Sequence, residues 1–234
     1  HGHQIQSITR RLLAQKNPDI EIVGDVLHPI GKVKDFSPYI AQIRASGADS
    51  VITGNWGNDL ALLVRAAADA GLEAKFYTYY GGGLGGPKSI GAAGEGRLFQ
   101  ITEYHRNLPL ELGKLEVYDF VLPFDEANGD VNWYYGRIGT MMDMLKLAAE
   151  KAGSTDPVAI AYALEDLEME TPFGKVIMRG IDHQLLQPLF ISGFTKDVKY
   201  DAENSGLGFK TVVGMSAEQT ATPTTCQMQR PPRR

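Results

Sequence analysis

Residues 46–86 read SGADSVITGNWGNDLALLVRAAADAGLEAKFYTYYGGGLGG, and their patterning decides the fold. Ala48 to Thr53 is a short β-branched run of the kind that forms a buried strand. Asn58 or Asp59 can cap the helix that follows. Leu60, Leu62, Leu63, Ala67 and Ala70 give that helix one apolar face, and Gly71 ends it. Ala74 to Tyr79 forms a second strand. Strand, helix, strand with short connections is a right-handed βαβ unit, so the two strands run parallel. Ligands of open parallel sheets bind outside the carboxyl ends of the strands. Here those ends carry Gly54-Asn55-Trp56-Gly57-Asn58 and Tyr79-Tyr80-Gly81-Gly82-Gly83.

Outward from this unit the rhythm continues. Gln4 to Lys16 reads as a helix with Ile5, Ile8 and Leu12 on one face, and Ile20 to Leu27 as a strand. Ser37 and Pro38 suit the N-cap and first position of a helix ending at Gly47. Pro87 to Ala93 allows one or two helical turns, and Arg97 to Tyr104 is a further strand. The order to Tyr104 is α-β-α-β-α-β-α-β, a parallel layer with helices on both faces. Beyond it the spacing predicts a helical segment over 110–120 and a long helix over 132–152 with Ile138, Met141, Met142, Leu145 and Ala148 buried. A helix over 158–167 and strands at 175–178, 189–195 and 209–213 follow. Two helices and two strands before residue 196 amount to half of an α/β lobe.

The composition excludes several classes. A formal net charge of −5, with basic residues bunched only at the end, argues against nucleic acid as a partner. No run approaches the roughly 18 apolar residues of a membrane span. His1-Gly2-His3, without an initiator Met, reads as a cut or processed end. The single Cys226 is a free or buried thiol, unless its partner lies in another chain.

Few residues suggest catalysis. The histidines lack metal-ligand spacing, and no G-x-S-x-G nucleophile motif is present. Gly81, Gly83 and Gly86 fit G-x-G-x-x-G after a strand, with Glu103 at the end of the next strand where a ribose-binding acid would stand. Gly91 and Gly94 interrupt the helix such a motif needs. The loop also reads as one that lets a ligand approach the backbone. Trp56, set between amides and glycines just past a buried strand, points to ligand contact. Tyr79 and Tyr80, and Trp133 and Tyr134 at the start of the long helix, suit either ligand contact or the edge of a core.

The segment HPIGKVKDFSPYIAQIRASGADSVITGNWGNDLALLVRAAADAGL resembles the periplasmic solute-binding proteins of ABC transporters, in the branched-chain amino acid (Leu/Ile/Val) group. YYGRIGTMMDMLKLAAEKAGSTDPVAIAYALEDLEMETPFGKV and DHQLLQPLFISGF resemble the same family in the same order. The resemblance implies the type I periplasmic-binding fold: a three-layer, parallel-sheet α/β lobe plus a second α/β lobe, incomplete here, with the ligand clasped between them. Residues 1–119 would form the second lobe. Residues 120–198 would return to the first lobe, and 199–234 would cross back. The opening of the first lobe, on the order of 100 residues, would lie outside this sequence.

By the same resemblance, Asn55, Trp56, Gly57, Asp59, Tyr79 and Tyr80 form one wall of the site, with Trp133 and Tyr134 on the hinge side. The family's amino-acid binders place an acid near Tyr80 for the ligand's ammonium group; this chain has tyrosine there, and Asp59 is the expected substitute. The expected protein is a periplasmic binding component without catalysis, metal or cofactor. It would bind a small amino acid or carboxylate and present itself to a membrane permease. An NAD-dependent oxidoreductase built on the glycine loop is the alternative. Self-association through the incomplete lobe is a third expectation.

Overall fold

The computed structural model describes residues 2–83, 85–128, 136–201 and 203–232. At its centre β1 (Ser50–Ile52) runs parallel to β2 (Lys75–Tyr79), with Val51 opposite Phe76. Helix α3 (Gly57–Asp69) crosses between them. It buries Leu60, Leu63, Val64 and Ala67 in one cluster with Phe76 and Leu98. Of the expected apolar face, Leu60, Leu63 and Ala67 are buried and Leu62 partly so, while Ala70 is exposed just past the end of the helix and Val64 joins the core in its stead. No side chain caps α3: its N-cap is Trp56 in extended backbone, not Asn58 or Asp59. Preceding α3's strand, α1 (Gly2–Lys16) and α2 (Ser37–Ser46) lead in. Phe36 and Ile40 anchor α2 in the core. The start of α2 is held by Asp35, whose carboxylate accepts from the Ser37 N–H at 2.8 Å, so the capping oxygen comes from two residues before the expected Ser37.

After β2, α4 (Gly86–Ile90) and a 3-10 turn at 91–94 lead to β3 (Leu98–Thr102), again parallel to β2. The first half is thus α/β, as expected, with one exception. Residues 20–27 form no strand. A strand exists through the ladder it shares, and among the described residues no backbone pairing joins this segment to the three-residue β1. Ile20, Ile22, Val23 and Val26 stay exposed. Polar contacts fix the segment instead: Arg10 Nε and Gln6 Nε2, both on α1, donate to Asp25 at 2.8 and 2.6 Å.

Short helices α5 (Leu108–Leu112) and α6 (Tyr118–Asn128) follow β3. Next, α7 (Gly136–Ala152) packs on α8 (Pro157–Leu164). Asp156 caps α8, accepting from the Val158 and Ala159 amides at 3.0 and 2.9 Å. Strands β4 (Glu168–Thr171), β5 (Gly174–Arg179) and β6 (Gln184–Leu186) make a separate antiparallel sheet. The α7 stripe departs from expectation. Met144 and Ala148 are buried, while Ile138, Met141, Met142 and Leu145 are exposed. The contact with α8 uses an adjacent face, and among the described residues nothing covers the stripe.

The chain then returns to the first sheet. β7 (Leu189–Thr195) pairs antiparallel with β3, and β8 (Gly208–Met215) with β7, giving the order β1-β2-β3-β7-β8. The sheet is therefore mixed, parallel over β1–β3 and antiparallel beyond. The expected boundary at residue 198 does not match sheet membership, which changes between β6 and β7. Alternation explains this: Phe190, Ser192 and Phe194 turn inward, and the Phe194 ring sits 5.0 Å from that of Phe209 on β8. The last helix, α9 (Ala217–Thr220), carries a capping box built on Ser216 and Gln219.

Candidate functional site

The carboxyl ends of β1 and β2 lie side by side, and a short bond fixes the loops that leave them. Thr78 Oγ1, on buried β2, donates to the Asn55 carbonyl at 2.6 Å. The Asn55 N–H donates in turn to Thr53 Oγ1 at 3.1 Å. Its side-chain Oδ1 lies 2.7 Å from His28 Nε2, which donates there because a carboxamide oxygen only accepts. Asn55 Nδ2 is buried with no partner among the described residues.

This frame presents aromatic surface. Gly57, at φ +54°, supplies the left-handed turn between extended Trp56 and the helix. The Trp56 ring is left half-exposed, and Tyr79 and Tyr80 are exposed at the neighbouring strand end. Tyr80 itself is at φ +47°, an uncommon conformation for a bulky residue and one found mostly at functional positions. Asp59 is different. Its carboxylate is buried and accepts from the Gly31 N–H at 2.8 Å, so it pins the 28–31 loop and does not serve the open face. Trp133 and Tyr134 lie outside the described residues.

Arg137 in the first turn of α7 completes the arrangement, and sequence reasoning missed it. Its Nε donates to Glu103 Oε1 at 2.7 Å, and Nη2 reaches the same oxygen. Nη2 also donates to the Tyr80 hydroxyl at 3.2 Å, and the guanidinium sits 5.2 Å from the Tyr80 ring centre. Burial works against its charge, but Glu103 and Tyr80 outweigh burial and hold the group above its ordinary value. One signal was available. A cation in the first turn of a helix opposes the helix dipole, so it calls for another reason to be there.

The glycine loop answers to packing. A Cβ at Gly86 would collide with the Gly81 carbonyl oxygen. The Gly82 N–H donates to Gln100 Oε1 at 2.8 Å, and the Lys88 N–H, in the first turn of α4, to Glu203 Oε2 at 2.8 Å. Glu203 thus sits where a pyrophosphate would sit in the alternative reading. Glu103, the ribose-binding acid of that reading, is bonded to Arg137 on one oxygen and to Thr102 Oγ1, at 3.2 Å, on the other.

Behind Tyr80 a cavity of about 90 Å³ is lined by Gln100, Thr102, His105 and Glu203, among others. His105 Nε2 lies 2.8 Å from Thr211 Oγ1 and 3.7 Å from a Glu111 carboxylate oxygen. Its Nδ1 has no partner among the described residues, and burial pushes the imidazole down to about 3. Arg106 pairs with Asp125 at 2.7 Å. Burial, then the hydrogen bond to Asp125, push Tyr200 up to about 12. Among the described residues no three His, Cys, Asp or Glu side chains are grouped to hold a metal ion, and no helix is long and apolar enough to cross a membrane.

A lobe with open, aromatic strand ends and a second unit joined to it at Arg137 is the architecture of a solute-binding α/β protein. The sequence pattern described as periplasmic binding protein matches residues 1–199, and the chain belongs to that family. A Leu/Ile/Val-binding protein homolog 4 from Brucella melitensis is 33% identical over 219 residues, covering 90% of this chain and 51% of that protein. A leucine-, isoleucine-, valine-, threonine- and alanine-binding protein from Brucella ovis, solved in a closed conformation, superposes with a TM-score of 0.83 at 30% identity. The match covers 96% of this chain and 58% of that one. A Rhodopseudomonas palustris solute-binding protein in complex with p-hydroxybenzoic acid shares the fold, with a TM-score of 0.68 at 19% identity over 91% of this chain and 57% of that one. The chain spans about half the length of the first of these relatives.

Proposed function

We propose that this chain supplies one wall of the ligand site in an extracytoplasmic, periplasmic solute-binding protein. That protein would deliver a small amino acid or related carboxylate to the permease of an ABC importer. Trp56, Tyr79 and Tyr80 pack against the solute, Gly57 lets it approach the backbone, and Asn55 holds the loop in register with β2. Trp133 and Tyr134 are assigned to the hinge side. Residues 1–119 belong to one lobe, 120 to about 188 to the other, and β7, β8 and the tail return to the first. Solute binding draws the lobes together, and the reading assigns no reaction to the protein.

One observation carries this reading. Strand β2 buries Phe76 and Thr78 along its length, yet at the carboxyl end it shares with β1 three large aromatic residues, Trp56, Tyr79 and Tyr80, are exposed. Exposed aromatic surface at such an end is what a ligand covers. The family membership and the identity to Leu/Ile/Val-binding relatives support the solute class.

A thermal-shift panel of amino acids, small carboxylates, amides and NAD tests it. A ligand at about 100 times its dissociation constant adds roughly 2.7 kcal/mol and raises the melting point by several degrees. A shift with amino acids or carboxylates that Trp56→Ala abolishes supports the reading. A shift with NAD alone overturns it in favour of the oxidoreductase.

A further inference from the structure

The group that this wall turns toward a ligand is a cation. Asp59, the acid expected to meet an ammonium, is buried and bonded to Gly31. Glu103 is buried too, with one oxygen taken by Arg137 and the other by Thr102. What stands beside exposed Tyr80 is Arg137, whose guanidinium lies 5.2 Å from the Tyr80 ring centre and whose side chain keeps 39% of its surface accessible. Nε and Nη2 are occupied by Glu103 and Tyr80, and Nη1 has no hydrogen-bond partner among the described residues.

We propose that Arg137, aimed by Glu103 and Tyr80, receives the anionic group of the solute, so that this site selects a carboxylate and has no counter-charge for an ammonium at the Tyr80 end. The inference rests on the solute-binding reading and names its ligand class. Glu103 cancels the charge of Arg137 at a distance, but at contact range the direction of the free N–H donors decides. A carboxylate oxygen meets a donor already fixed on two sides, so little side-chain freedom is lost on binding. The Tyr80 ring, under the guanidinium, adds a flat apolar surface for the carbon skeleton of the same ligand. Arg137 sits on α7 and its two partners, Tyr80 and Glu103, just past the ends of β2 and β3, so an anion bound here touches both units of the molecule at once.

The test is calorimetric titration of the full 234-residue chain. The probes are 4-methylpentanoate and benzoate, their primary amides, leucine, and 3-methylbutylamine. The acids are expected to bind at least about tenfold more tightly than their amides, as a charge-assisted hydrogen bond implies. The amine should not bind, and leucine should gain nothing over 4-methylpentanoate. Arg137→Met brings the acid-to-amide ratio near one; Arg137→Lys, which keeps the charge without the fork, restores part of it. A purely structural role would weaken acid and amide alike and leave the ratio untouched. Should Arg137→Met fail to fold, the wild-type ratios and Arg137→Lys still decide. Leucine binding tenfold more tightly than 4-methylpentanoate, or an acid-to-amide ratio unchanged in either variant, overturns the role of Arg137 while the solute-binding reading stands. Failure of every probe to bind overturns both.

Discussion

In α3, Leu60, Leu63, Val64 and Ala67 repeat at helical spacing and are buried with Phe76 and Leu98. In α7, Ile138, Met141, Met142 and Leu145 repeat at the same kind of spacing and stay exposed, while Met144 and Ala148 carry the contact with α8. Helical periodicity says which face of a helix seeks cover. It does not say which segment provides the cover. α3 is flanked in sequence by the strands it packs on, so its cover is local. The strand pairs next to α7 form their own small sheet or return to the first one, and among the described residues its stripe is left exposed. The two helices therefore make different predictions for the same class of substitution.

The largest effect belongs to the buried side. Phe76 is fully enclosed on β2. Phe76→Ala should cost about 3–5 kcal/mol of unfolding free energy in urea, the range for large-to-small core substitutions. A loss below about 1 kcal/mol would mean that the first unit is packed no better than the second, and the contrast would fail. Next comes Gly86→Ala at the glycine loop, where the new methyl would meet the Gly81 carbonyl oxygen. A loss of about 1–3 kcal/mol is expected. Full stability in that variant would return the loop to the class of open, ligand-approaching turns.

The βαβ unit was legible because its information is local. β-branched residues, a helical stripe and a second strand follow one another within 41 residues from Ser46 to Gly86. The strand before Trp56 was legible as a strand but not in its burial: β1 lies at the sheet edge and leaves Ser50 and Ile52 exposed, where the β-branched run suggested a buried strand. The strands expected at 189–195 and 209–213 formed as β7 and β8, but the antiparallel pairing of β7 with β3 was not legible, since it depends on partners some 90 residues away. The segment 20–27 shows the converse. Its composition is that of a strand, and no ladder forms. Arg137 and Glu103 stood 34 residues apart with nothing in either neighbourhood to link them. Only the fold brings the start of α7 to the ends of β2 and β3.

Acid gives a milder test of the buried side. The His105 imidazole is held neutral down to about 3, whereas in the unfolded chain it takes a proton near 6.5. Between those values the unfolded state binds more protons, so stability falls as the pH drops through that window, by at most about 1.4 kcal/mol per pH unit. The clean interval is pH 6.5 to 5. Below it Asp182, held low by Arg179, and Glu218, held low by Lys175, lose their partners' help as they protonate. Unfolding midpoints of the wild type and His105→Gln should diverge as the pH rises from 5 to 6.5 and run parallel above pH 7.5. Parallel curves throughout would place His105 in contact with solvent.

The smallest expected effect is the one that bears hardest on α7. Ile138→Gln and Met142→Gln replace exposed apolar side chains with residues of similar helix propensity, and neither touches the buried Met144 or Ala148. Each should change the unfolding free energy by no more than about 0.5 kcal/mol, as surface substitutions do. The pair should also leave the urea dependence of unfolding unchanged, since no surface newly buried or exposed is involved. A loss several times larger would mean that the stripe is covered in solution. Repeating the measurement over a hundredfold range of protein concentration then separates the sources of cover. A midpoint that rises with concentration assigns the cover to a second copy of the chain, and a midpoint that does not assigns it to a rearrangement within one chain. Either result would place α7 beside α3 as a helix whose stripe has found its partner, and the difference between the two helices would reduce to one of distance along the sequence.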